Sequence, residues 1–289
     1  ETAGELRIRK GTKTSAWASG GNMNTARQYL ASASNGTPTA TLSFGGSVSP
    51  NQQTESYNGS SWTEVNDLNI GRGALAGAGI QTAALAIGSG SPDNANTESW
   101  NGTNWTEVNN LNTGRNALGG QGTQTAAIAF GGNPPYRAET EIWNGTNWTE
   151  VADLIDSREW PGGAGTTTAA IAFGGQAPGY VASTEQWNGT AWYEVNDLNL
   201  GKAYMGGAGT STSAIGFGGL HSPPATPQAQ TESWNGSVWT ETSDLNVARF
   251  GMGGSGTSTA AISAGGGIPS TPAMAFTEEW NADFAYGVW

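Results

Sequence analysis

Apolar and polar positions fall in short blocks of strand length along this chain, with no helical period. Between Arg72 and Val108, a stretch of small residues, Ala74–Gly79, leads through a tight turn at 80–82 into the apolar run Ala83–Ile87, which Gly88 ends. A continuous apolar run of that length predicts a strand buried on both faces. Small residues suit a strand packed close to others near an axis, where volume is limited. Thr97–Trp100 then alternates, which puts Glu98 and Trp100 on one face. Asn101-Gly102 predicts a hairpin through a type I′ turn, which needs positive φ at both residues. Trp105–Val108 supplies a fourth strand. The product is a four-stranded antiparallel sheet in up-and-down order. Alone it cannot bury two apolar faces; stacked against copies of itself it can.

The copies are present. A double-glycine position recurs at Gly45, Gly88, Gly131, Gly174, Gly218 and Gly265. The aromatic after Thr-Glu recurs at Tyr57, Trp100, Trp143, Trp187, Trp234 and Trp280, and a second series at Trp17, Trp62, Trp105, Trp148, Trp192 and Trp239. A basic residue recurs at Arg27, Arg72, Arg115, Arg158, Lys202 and Arg249. All four series keep a period between 43 and 47 residues. A period of that length built of short strands predicts a propeller. Trp17 stands ten residues before Arg27, as Trp62 stands before Arg72, so the chain opens on a fourth strand without the first three. The last repeat breaks off after Trp280-Asn281. The expectation is an all-β, six-bladed β-propeller of four-stranded antiparallel blades, in which an N-terminal strand completes the last blade and leaves no open edge. The predicted blades are 27–65, 72–108, 115–151, 158–195, 202–242, and 249–281 with 15–19. Residues 1–14, with a possible strand at Glu5–Arg9, and 282–289 are left as terminal segments.

Composition sharpens this picture. The 45 glycines and scarce charge would suit a disordered chain, but 13 tryptophans held at fixed repeat positions do not. The net charge of −12, with only 11 Lys and Arg, argues against nucleic acid as a partner and against anionic membranes. Without cysteine there is no disulfide, thiolate site or cysteine nucleophile. No apolar run is long enough to span a bilayer as a helix. A start at Glu1 without Met reads as a fragment or processed product.

The order of basic residue, apolar strand ending in Gly-Gly, Glu-x-aromatic and a Trp five residues on resembles the kelch repeat over residues 15–281. That resemblance implies a propeller closed by a strand from the opposite terminus. The chain departs from the pattern in preferring Trp to Tyr at the aromatic position. Stretches such as Trp17–Arg27 and Gly122–Gly132 further resemble kelch-like segments of structural proteins of marine bacteriophages, tail fibres and other virion appendages. This implies a virion or extracellular location, with other virion proteins or a host-surface glycan as partners.

Repetition decides most candidate chemistry. Glu55, Glu98, Glu141, Glu185, Glu232 and Glu278 invite acid–base hydrolysis. A feature present once per blade cannot single out one active site, so these read as structural, bonded to backbone or to the repeat's basic residue. The basic series likewise reads as a brace between loops rather than an anion ring. His221, the only histidine, stands beside Pro223-Pro224 and cannot assemble a metal site alone. Kelch copper oxidases need a Tyr–Cys crosslink and histidine ligands, and this chain has no such set. The Asn-Gly-Ser/Thr segments at Asn58, Asn101, Asn144, Asn188 and Asn235 fit a glycosylation sequon, but the hairpin reading accounts for all five. No phosphate loop occurs, and no cofactor or metal is expected.

What varies is one set of loops: 47–53, 91–96, 133–139, 176–183, 220–230 and 268–276. Strand order places them on the rim that also carries the basic series, opposite a rim of short, near-identical turns. Function concentrates on variable loops held by a rigid scaffold. Tyr136, Arg137, Tyr180, His221 and Phe276 in these loops are the candidate ligand contacts, with the tyrosines suited to stack on sugar rings. The expected function is a non-enzymatic binding or structural module of a phage appendage. The alternatives are a purely structural spacer and a glycan-active enzyme. An oligomer would form through the assembly.

Overall fold

The apolar strands alternate in size, and this alternation builds the fold. In Ala83–Ile87, Leu85 and Ile87 pack against the tryptophans of the following sheet, Trp143 and Trp148. Ala84 and Ala86 point the other way and receive Leu42 and Phe44 of the preceding sheet. Each apolar cluster therefore spans two neighbouring sheets, and six such clusters follow one another around the molecule. No sheet has a core of its own, which is the physical reason the repeat must close on itself.

The computed structural model describes residues 14–89, 95–271 and 273–284. The strand expected at Glu5–Arg9 and most of the 91–96 loop lie outside them. Six four-stranded antiparallel sheets form the blades of a β-propeller. The second blade shows the order, from axis to outer edge: Ala76–Ile80, Ala83–Ile87, Thr97–Trp100 and Trp105–Val108. The sixth blade draws Gly253–Gly256, Ala260–Ala264 and Thr277–Phe284 from the end of the chain and Thr14–Ser19 from its beginning. Trp17 lies in register with Trp280, their ring centroids 5.5 Å apart. The third strand of this blade continues past 281 to Phe284, so the terminal segment expected from 282 starts inside the closing blade.

A circuit of hydrogen bonds records the closure. The indole N–H of each outer-strand tryptophan donates to the hydroxyl of a third-strand threonine one blade back. The six pairs are Trp62 to Thr277, Trp105 to Thr54, Trp148 to Thr97, Trp192 to Thr140, Trp239 to Thr184 and Trp17 to Thr231, at 2.9–3.2 Å. All twelve residues are buried. Trp17, from the start of the chain, occupies the same place as the other five.

At the axis the first strands meet backbone to backbone. A Cβ at Gly77 would stand 2.3 Å from the Ser32 carbonyl oxygen, and one at Gly207 would stand 2.5 Å from that of Gly163. This close approach explains the run of small residues before each apolar strand. The first blade carries Ala31–Ser32 here, a shorter first strand than the other blades have.

One local expectation is corrected. The turn after Trp100 is not type I′, because only Gly102 takes positive φ (93°). Asn101 keeps ordinary backbone, and its carboxamide oxygen accepts the N–H groups of Thr103 and Asn104, both at 2.9 Å. Its own N–H donates to the Asn104 carbonyl at 3.2 Å, so Gly102 and Thr103 are the central pair and Gly sits first, as in type II′ hairpins.

Candidate functional site

The repeat's charged residues are consumed inside the blades. Arg27 pairs with Glu55 at 2.9 Å, Arg72 with Glu98 at 3.1 Å, Arg115 with Glu141 at 2.7 Å and Arg158 with Glu185 at 2.5 Å. Lys202 pairs with Glu232 at 3.2 Å, and Arg249 pairs with Glu278. All twelve side chains are buried. The other carboxylate oxygen of Glu141 accepts the backbone and side-chain N–H groups of Asn112, and the same Asn reaches the Trp148 carbonyl at 3.1 Å. Asn24, Asn69, Asn199 and Asn246 repeat this arrangement, while Ile155 offers only its backbone N–H. Burial lowers the pKa of all six cations, and their glutamates partly restore it. Burial pushes the Glu185 carboxyl up, and Arg158 opposes the shift. Neither series presents a free charge to a ligand.

Two residues beyond each basic residue the chain turns over the axis. Tyr29, Ala74, Ala117, Trp160, Tyr204 and Gly251 occupy this position, all with φ between 53° and 66°. The five non-glycine members are the only non-glycine residues with positive φ among the described residues. Their backbones form a closed belt, each N–H donating to the carbonyl of the member before it, from Gly251 through Tyr29 and round to Tyr204, at 2.7–3.2 Å. Alanine and glycine hold three places in the belt, so the belt itself requires no bulky side chain.

The other three are aromatic and meet over the axis. Trp160 and Tyr204 stack with centroids 4.6 Å apart, and Tyr29, from the opposite blade, lies 5.0 Å from Trp160. Phe250 stands 6.0 Å from both tyrosines, and Tyr180 approaches Tyr204 edge-on at 6.3 Å. Tyr29, Trp160 and Tyr204 each remain partly exposed. Leu30, Leu75, Leu118, Pro161, Met205 and Met252 lie beneath them, and with the three rings they line a cavity of about 90 Å³.

Polar groups border this cluster on one side. Glu159, buried next to Trp160, accepts a hydrogen bond from the Asn133 side chain, and burial raises its pKa. The Gln176 carboxamide accepts from the Tyr204 hydroxyl and donates to that of Tyr136, both at 3.5 Å. Burial raises the Tyr29, Tyr180 and Tyr204 phenols, and Glu159 adds to the shift at the last two.

The five loop residues singled out from sequence do not converge. Tyr180 and Tyr136 adjoin the axial cluster through Tyr204 and Gln176. Arg137 is tied to Glu139 of its own loop at 2.7 Å. His221 lies in a small hairpin, its Nδ1 2.8 Å from the Gly201 carbonyl oxygen. Phe276 is exposed and lines a separate cleft with Asn22 and Val247. Sequence reading missed Tyr29, Trp160, Tyr204 and Phe250. A signal for the first three was available, because aligning the basic series exposes, two residues on, a position that reads Tyr, Ala, Ala, Trp, Tyr, Gly; Phe250 falls one place earlier, where the series reads Gln, Gly, Asn, Glu, Ala, Phe.

No family model matches the chain, and no curated protein matches it. Among solved structures it is similar to that of YjhT, with a TM-score of 0.74 at 11% identity over 89% of this chain and 96% of the other. At that identity the likeness concerns the fold, a β-propeller.

Proposed function

We propose that this chain is a non-enzymatic binding module of a bacteriophage virion appendage, of the tail-fibre kind, working outside the cell on a host-surface glycan. The observation that carries the binding reading is the contrast between the two rims. The rim of the Asn-Gly hairpins repeats one solution, in which Asn58, Asn101, Asn144, Asn188 and Asn235 each accept two turn amides. The rim of long loops gathers an asymmetric cluster of aromatic and amide groups around the axis. Such a mixture on a rigid scaffold suits a ligand with both apolar and hydroxylated faces. The buried pairing of the repeat glutamates speaks against hydrolysis by them. The virion setting is supported by the resemblance of Trp17–Arg27 and Gly122–Gly132 to phage structural proteins.

The test is a glycan array probed with the purified chain and with a Tyr136→Ala, Tyr180→Ala double variant. Glycan binding by the parent and a clear loss in the variant are expected. Full binding by the variant would remove these loops from the account, and an array without any bound glycan would overturn the glycan reading.

A further inference from the structure

We propose that the axial mouth is a saccharide subsite, in which the stacked Trp160–Tyr204 pair and Tyr29 take the apolar face of a neutral sugar ring while Gln176 and Glu159 take its hydroxyls. This rests on the glycan-binding reading above and adds the place, the residues and the charge class of the sugar.

Three observations carry it. The first is backbone cost. Any non-glycine residue held at positive φ is disfavoured by about 1–3 kcal/mol, and the belt accepts the small Ala74, Ala117 and Gly251 at equivalent places. Three aromatics in this conformation are therefore not a requirement of the belt. Their rings stay partly exposed at the centre of the variable rim.

The second is the state of the polar groups. Gln176 bonds Tyr136 and Tyr204 only at 3.5 Å, the outer limit for a hydrogen bond. A ligand hydroxyl at ordinary distance would replace either with a gain. Glu159, the chain neighbour of Trp160, accepts a hydrogen bond from Asn133 and lies near enough to the Tyr180 and Tyr204 phenols to raise their pKa. Flat aromatic surface flanked by carboxamide and carboxylate groups matches a sugar ring, which presents C–H groups on one face and hydroxyls around its perimeter.

The third is size and charge. The cavity under the rings, about 90 Å³, is far below the roughly 300–1,000 Å³ of pockets that enclose a ligand. The sugar therefore lies on the rings and not inside the channel. The repeat cations are all paired, Arg137 is bound to Glu139, and the chain carries −12. Among the described residues nothing at the mouth favours a sialic or uronic acid, and Glu159 repels one.

The experiment is a solution titration of the full chain with neutral gluco-, galacto- and manno-oligosaccharides and with sialylated and uronate-bearing counterparts. Trp160→Ala, Gln176→Ala and Tyr193→Ala accompany the parent, the last being an exposed tyrosine on the outer strand of the fourth blade. Trp160→Ala should fold, because alanine already holds this conformation at 74 and 117, and an unchanged thermal melt verifies it. Binding of a neutral oligosaccharide, weakened about tenfold or more by Trp160→Ala, weakened by Gln176→Ala and untouched by Tyr193→Ala, is the expected result. Neutral binding that survives Trp160→Ala would overturn the subsite and leave the glycan reading standing. Binding confined to acidic glycans would overturn the charge class, and binding of none would overturn the subsite together with the reading beneath it.

Discussion

At the scale of single residues, the repeat shows how a buried ion pair is made tolerable. Arg115 has lost water, and its guanidinium is answered by Glu141 and by the Ala129 and Thr113 carbonyls. Removing one partner of such a pair strands the other charge in the interior, which costs about 3–5 kcal/mol. Arg115→Ala should therefore destabilise the protein by about that amount in urea unfolding. Arg115→Lys should cost clearly less, because Lys202 already fills the same role against Glu232 at 3.2 Å. Equal losses in the two variants would show that shape matters here and charge does not. Tyr57 makes a different argument. It stands where five blades carry Trp, and its hydroxyl donates to Glu279 of the closing blade at 2.6 Å. Burial, and then this bond, push its pKa up from 10.0 to about 12. The folded chain thus holds a proton that the unfolded chain releases between about pH 10 and pH 12. The stabilisation is complete below about pH 10 and disappears as the pH rises through about 12. Tyr57→Phe should cost about 1–2 kcal/mol at neutral pH and flatten part of the alkaline decline. Only part will flatten, since Tyr29, Tyr180 and Tyr204 shift in the same direction. Urea titrations at pH 8, 10 and 12 measure both effects, and an undiminished slope in the variant would refute the assignment to Tyr57.

At the scale of strands and turns, what the sequence made legible was whatever repeats. The apolar run Ala83–Ile87, the Glu98–Trp100 alternation and the orphan fourth strand at Trp17 each announced their places, because burial on a pleated sheet leaves a period in the sequence. The Asn101 turn was located correctly and typed wrongly. The side chain of Asn101 accepts two amides from ordinary backbone, and only the Gly102 φ reveals that. The axial cluster was less legible still. Tyr29, Trp160 and Tyr204 lie in three different blades, and their meeting depends on the belt that turns each chain segment over the axis. Reading for the repeat draws attention to constant positions, whereas the aromatic group occupies a position whose backbone is constant and whose side chain is not. Tyr136 and Tyr180 were reached through the variability of their loops, and that route leads only to the edge of the cluster.

At the scale of the whole molecule, the closed ring has no privileged starting point except the one the chain ends impose. The circuit of Trp–Thr bonds treats Trp17 like the other five tryptophans, and Trp17 also packs edge-on against Phe217 of the fifth blade at 4.9 Å. Thr14 pairs with Phe284, as the two arms of a hairpin would. If closure is a property of the ring and not of the native ends, the seam can move. A circular permutant that joins Phe284 to Thr14 through a short Asn-Gly loop and opens the chain between Gly102 and Thr103 changes only the blade that is latched from two ends. It should fold with the parent's circular dichroism and melt within about 5 °C of it. A truncation that removes 14–19 breaks the circuit instead. It deletes Trp17, bares Trp280 and Phe217, and leaves Thr231 without its donor. Loss of one buried tryptophan costs about 3–5 kcal/mol, and one kcal/mol moves the midpoint of a domain this large by about 2–4 °C. The truncated chain should therefore melt about 10 °C or more below the parent, or aggregate through the exposed edge. A permutant that fails to fold would tie closure to the native termini, and a truncation that melts like the parent would show that the ring holds without its latch.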